Sequence, residues 1–201
     1  MGEVDIVAPC YTDDWITHRW LWGLSGGPFG DMTIDASERH EVAHPGPTAP
    51  PMTGAEMSAW ARDLVERIGS EQPAQHVAIF VPDQDGAGLR LAAQVWGAGE
   101  DTGEVTVGDW IVPLDASVCG RVYRTGLAAL CSDVTMDPDY RSFPGGRTRS
   151  FLTVPVGPPD DVVAVIHLEA PWVAAFSIRD YERMTERAAL AFESFPRGSI
   201  V

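Results

Sequence analysis

Thiols, imidazoles and guanidiniums are the groups of this chain that could do chemistry, and their spacing limits what that chemistry is. Cysteines stand at 10, 119 and 131, an odd number, far apart and without a Cys-x-x-Cys pair. That pattern supports neither a disulfide framework nor a four-cysteine zinc site. Cys119, inside Val118-Cys119-Gly120, reads as a small buried thiol on a helix. His40 and His44 have the i, i+4 spacing that sets two imidazoles on one helical face for zinc. Pro45-Gly46-Pro47 follows at once and no third ligand is indicated, so no metal site is expected. His167 lies between Ile166 and Leu168 in a strand-like run, so its side chain faces opposite to theirs. It reads as a hydrogen-bonded structural histidine, the alternative being a pocket-facing haem ligand. No cofactor can be named from these residues.

All 14 basic residues are Arg, and without Lys there is neither Schiff-base chemistry nor a P-loop. Arg141, Arg147 and Arg149 gather around Gly145 and Gly146, where a lid could hinge. Arg suits bidentate contact with carboxylate or phosphate, the competing reading being a solvated loop paired with surface acids. The start of a helix at Ala116-Ser117-Val118 would add free N–H groups and a positive dipole end. Trp96, Trp110, Tyr123, Tyr140 and Phe143 are candidate pocket walls, each of which also reads as core. The candidate ligand-binding residues are therefore these five aromatics, Ala116, Ser117, Val118, Cys119 and Arg149. No nucleophile can be paired with a base from spacing alone, so no catalytic residue is assigned.

These residues need elements to position them. Thr53-x-x-Glu56 matches a capping box, and Met57, Trp60, Ala61, Leu64, Val65 and Ile68 recur at helical spacing up to Gly69. The spacing predicts a helix over 54–68. The β-rich runs 76–81 and 89–96 flank a Pro/Gly/Asp turn and predict a hairpin, with a further short strand at 111–114. A helix opening at Asp115 or Ala116 should run through Arg124 and close at Gly126. Strands are expected at 127–131, 151–156 and 162–169, the last two paired. Ser177-x-x-Asp180 then caps an amphipathic helix bearing Ile178, Tyr181, Met184, Ala188, Ala191, Phe192 and Phe195. Helices with an antiparallel sheet make an α+β sandwich.

The ordered segments 117–126, 131–134, 149–156, 162–168 and 175–180 together resemble a GAF domain, the small-molecule-sensing module of many signalling proteins. The resemblance implies an antiparallel sheet with the N- and C-terminal helices packed on one face and a ligand pocket on the other, covered by 106–148. Val118-Cys119-Gly120 is also similar to a segment of the free methionine-R-sulfoxide reductases, which are GAF-fold enzymes. Their further cysteines have no counterpart around 143–151 or around Asp109, so that chemistry does not carry over. The cyclic-nucleotide signature and the bilin-attaching Cys-His pair of other GAF proteins are missing as well.

Composition bounds the rest. The net charge of −15 argues against nucleic acid and anionic membrane. No apolar run approaches the roughly 20 residues of a membrane span, and the acidic start lacks a signal-peptide pattern, so a cytoplasmic protein is expected. Residues 1–52, rich in Trp, Gly and Pro, form an extension and linker before a domain at 53–196. The expected function is a sensor that binds a small polar or anionic ligand, dimerises, and signals to a partner protein by contact. The alternatives are a GAF-fold redox enzyme similar to the free methionine sulfoxide reductases, and a haem-based sensor.

Overall fold

A computed structural model describes residues 11–12, 54–71, 74, 76–97, 110–142 and 146–196. Seven strands form one antiparallel sheet in the order β1-β5-β6-β7-β2-β3-β4. They are β1 (Tyr11–Thr12), β2 (His76–Pro82), β3 (Gly88–Trp96), β4 (Ile111–Pro113), β5 (Ala129–Cys131), β6 (Ser150–Val156) and β7 (Ala164–Ala170). Among the described residues three α-helices accompany it: α1 (Gly54–Glu71), α2 (Val118–Thr125) and α3 (Ile178–Glu193). The α+β expectation and the predicted hairpin both hold, β2 and β3 pairing from His76↔Trp96 to Pro82↔Leu89.

The two sheet faces have separate cores. On one face α1 contributes Ala61, Leu64, Val65 and Ile68, and α3 contributes Tyr181, Met184, Ala188 and Ala191. These meet every second residue of the central strands, including Ile79, Leu152, Val154, Ile166 and Leu168. On the other face α2 lays Val118, Cys119 and Val122 over Ala78, Phe80, Phe151 and Val165. Covered on both sides, β6 and β7 are buried along almost their whole length, and each large apolar side chain so enclosed contributes about 1.5–3 kcal/mol.

Several details differ from expectation: β5 starts at Ala129 rather than 127, β7 starts at Ala164 rather than 162, and α3 ends at Glu193, before Phe195. Helix α1 continues through Gly69 to Glu71, because that glycine lets the helix pass close to β3: a Cβ there would lie 2.7 Å from Val95 Cγ1. Helix α2 begins at Val118, after Asp115 and Ala116, because the cap is Ser117, whose side chain accepts from Gly120 N. Ile178 opens α3 but is 47% exposed, outside the apolar stripe assigned to it. Two cap signals act as read. Gly126 caps α2 at φ 65°, and Ser177 and Asp180 form a reciprocal capping box. The cysteine pattern is corrected too, since Cys131 is disulfide-bonded, while Cys119 is free. Thr53, Phe143, His40, His44 and the tryptophans of 15–22 lie outside the described residues, and among those described no helix is long and apolar enough to cross a membrane.

Candidate functional site

The face of the sheet that carries α2 also carries a row of polar side chains, placed there by strand alternation and register. His167 and Glu169 are two residues apart on β7 and share a face, Thr153 pairs with His167 across β6, and His76 pairs with Glu169 across β2. Thr153 Oγ1 lies 2.7 Å from His167 Nδ1, and His167 Nε2 lies 3.3 Å from Glu169 Oε1. Glu169 Oε2 is 3.0 Å from His76 Nδ1, and His76 Nε2 is 2.9 Å from Gln94 Oε1. Tyr140 donates its hydroxyl to Glu169 Oε1 at 2.8 Å while its ring stacks on Phe151.

The charges follow from these contacts. Burial works against a charged His167, but the neighbouring sulfur of Cys119 and the carboxylate of Glu169 outweigh it and push the imidazole up to about 10. Burial likewise works against an ionised Glu169, yet hydrogen bonds from His167 and His76, with their charge, hold its carboxyl well below the usual range. Tyr140 is shifted upward by burial and then by the Glu169 carboxylate, so it keeps the proton it donates.

Cys119 reaches this row through local geometry at the start of α2. Ser117 donates its hydroxyl to Pro113 O at 2.6 Å and accepts from Gly120 N at 2.9 Å, tying the helix start to the end of β4. Gly120 lets the two backbones touch, since a Cβ there would lie 2.2 Å from Leu114 O. On the other side of the site, Arg121 reaches Asp137 and Asp139, both at 2.5 Å, and so holds down the segment that carries Tyr140 and Arg141.

Between α2, the sheet and that segment lies a pocket of about 270 Å³, open solvent included. Phe80, Trp110, Val112 and Val118 make its apolar wall, and Ser117, Cys119, Tyr140, Arg141 and His167 make its polar one. The structure thus brings together Trp110, Ser117, Val118, Cys119 and Tyr140 from the sequence-based candidates. Ala116 precedes the cap without lining the pocket. Trp96 lies further along the row, stacked on His76 with ring centroids 4.1 Å apart. Tyr123 is half-buried, its phenol pushed up by burial and then by Asp161. Arg149 is half exposed and paired with Asp133 at 3.0 Å, so Arg141 is the arginine of the loop that faces the pocket.

Cys119 and His167 line one pocket, although nothing in their spacing relates them. Both nitrogens of His167 face protein partners, Thr153 and Glu169. Sequence reasoning missed Glu169 and His76. The alternation that turned His167 toward the pocket turns Glu169 with it, whereas His76 is visible only once β2 is paired with β7.

No family model and no curated protein sequence matches this chain. Solved structures do. The type II free methionine-R-sulfoxide reductase of Thermoplasma acidophilum is 23% identical over 68% of this chain and 93% of its own, with a TM-score of 0.54. The free methionine-R-sulfoxide reductase of Neisseria meningitidis, solved with its substrate, is 21% identical over 71% and 81%, with a TM-score of 0.56. The GAF domain of an Acinetobacter phosphoenolpyruvate-protein phosphotransferase is 16% identical over 69% and 89%, with a TM-score of 0.54. At these identities the likeness is one of fold. The fold is GAF-like, and it is shared by enzymes and by domains of signalling proteins.

Proposed function

We propose that this chain is a small-molecule sensor, a GAF domain at 53–196 behind an extension at 1–52, whose ligand is small and polar or anionic. One observation supports this above others: Arg141 and a protonated His167 face one pocket beside the start of α2, in a chain of net charge −15. The charge of His167 is answered by Glu169, so the guanidinium of Arg141 supplies the charged donor for an anion that the rest of the surface repels. The apolar wall of Phe80, Trp110 and Val112 limits the ligand to a few heavy atoms. Output passes to a partner protein by contact, and the ligand drives it by binding one conformation more tightly than the other.

Titration calorimetry with nitrate, small carboxylates and nucleotides tests the reading. A small anion should bind, and Arg141→Ala should weaken it by about 1.5–3 kcal/mol, the worth of a charged hydrogen bond. Arg149→Ala should leave affinity unchanged, because that side chain is spent on Asp133. Equal affinity in wild type and Arg141→Ala overturns the proposal.

A second reading, a redox enzyme similar to the free methionine sulfoxide reductases, is favoured by the presence of Cys119 and His167 in one pocket. Against it stands the lack of a second free thiol among the described residues, since Cys131 is disulfide-bonded. No turnover of free methionine-R-sulfoxide with dithiothreitol is expected. Turnover that disappears in Cys119→Ser would establish the enzyme instead.

A further inference from the structure

Cys131 is disulfide-bonded, and its partner lies outside the described residues. The chain has three cysteines and Cys119 is free, which leaves Cys10. Strand register points the same way. Tyr11 faces Leu130 and Thr12 faces Ala129, so the antiparallel ladder of β1 and β5, carried one residue further, sets position 10 against Cys131. Directly opposed residues of such a ladder have Cα atoms about 4.5–5.5 Å apart, within the about 4.4–6.8 Å that a disulfide spans. What the bond holds follows from the sheet. β1 is an edge strand of two residues paired with β5 alone, and so short a ladder offers little against the entropy of ordering the chain. β5 is buried and pairs along all three of its residues with β6 on the other side. Breaking the bond therefore frees β1 and leaves the rest of the sheet paired.

We propose that Cys10 and Cys131 form a redox latch, which clasps β1 to β5 when oxidised and releases it when a dithiol reduces the bond. One thiolate of the dithiol attacks a sulfur of the pair, and a mixed disulfide forms as the bond between the two cysteines breaks. The other cysteine leaves as a thiolate and takes up a proton. The second sulfur of the dithiol then attacks the mixed disulfide, frees the remaining cysteine, which is protonated in turn, and closes the reductant's own disulfide. Two electrons pass from the dithiol to the latch, with the two protons that the dithiol gives up. Release opens the outer edge of β5, a row of backbone N–H and C=O groups able to pair with another strand.

The test uses the full-length chain in two steps. The chain is oxidised with diamide, unfolded in urea and alkylated with N-ethylmaleimide, and mass spectrometry of the unreduced digest should find one peptide pair joined through Cys10 and Cys131, with the label on Cys119 alone. Alkylated Cys10 or Cys131, or a link between two copies of the chain, overturns the proposal. Hydrogen exchange then compares the oxidised chain with the chain reduced by dithiothreitol. Peptides covering 11–12 and 129–131 should exchange at least about 10-fold faster on reduction and recover on reoxidation, while β7 stays protected. Cys10→Ser should exchange as the reduced chain does, with or without dithiothreitol. Exchange unchanged by reduction overturns the proposal, and so does loss of protection across the whole sheet, which marks the bond as a structural staple. Both outcomes are read on wild type, so the test holds even if the variant does not fold.

Discussion

Glu169 offers two carboxylate oxygens to three partners, His76 on Oε2 and both Tyr140 and His167 on Oε1. A buried charge set of this kind adds little when complete but costs about 3–5 kcal/mol when one member is removed. Glu169→Gln should therefore lower unfolding free energy by about that amount in urea. The pH dependence has a definite sign. The pKa of His167 rises from 6.5 to about 10 on folding, so its stabilisation is complete below pH 6.5 and is lost as pH climbs through about 10. Glu169, lowered from 4.5, stabilises above that pH and ceases to do so as pH falls through its depressed value. Thermal melts should show Tm declining from near neutrality to pH 10, with the decline much reduced in His167→Gln; equal slopes would refute this assignment. Alternation made the orientation of His167 legible in the sequence. The shared pocket with Cys119 was not, because it is made by α2 folding back over β7, and no short-range rule encodes that.

Elements hold this site through a few polar clamps. Arg121 on α2 grips Asp137 and Asp139, and the side chain of Asp137 is 3% exposed. Replacing Arg121 by Met should strand that carboxylate, costing about 3 kcal/mol, and loosen the segment that carries Tyr140 and Arg141. Urea melts and the rate of tryptic cleavage after Arg141 report the two effects; unchanged values for both would show that the clamp does not hold the cover. Helix signals were legible where the cap chemistry was local, as at Ser177-Asp180 and Gly126. The start of α2 was not, since Asp115 and Ser117 could each cap it. Contact between Gly120 and Leu114, a tertiary matter, decides for Ser117. Gly69 misled for a related reason: the roughly 1 kcal/mol that glycine costs a helix is offset by close packing on β3.

At the scale of the molecule the two-faced layering was legible from periodicity and from the resemblance, because burial on both faces of β6 and β7 demands a cover on each. Helices α1 and α3 share the face away from the pocket, joined at their edges by Arg187 and Glu71 at 2.6 Å. Leu190 on α3 stays 58% exposed there. We expect a homodimer through this helical face, with the full chain dimeric in light scattering and Leu190→Glu shifted to monomer; a monomeric wild type refutes it. The opposite face has an optical consequence. Its polar row ends at His76, and the indole of Trp96 lies flat on that ring, outside the pocket lining. Indole emission is sensitive to charge against its ring. A ligand beside His167 would reach Trp96 only by way of Glu169 and His76, and comparing wild type with Trp96→Phe separates such a relayed change in emission from that of Trp110 in the pocket wall.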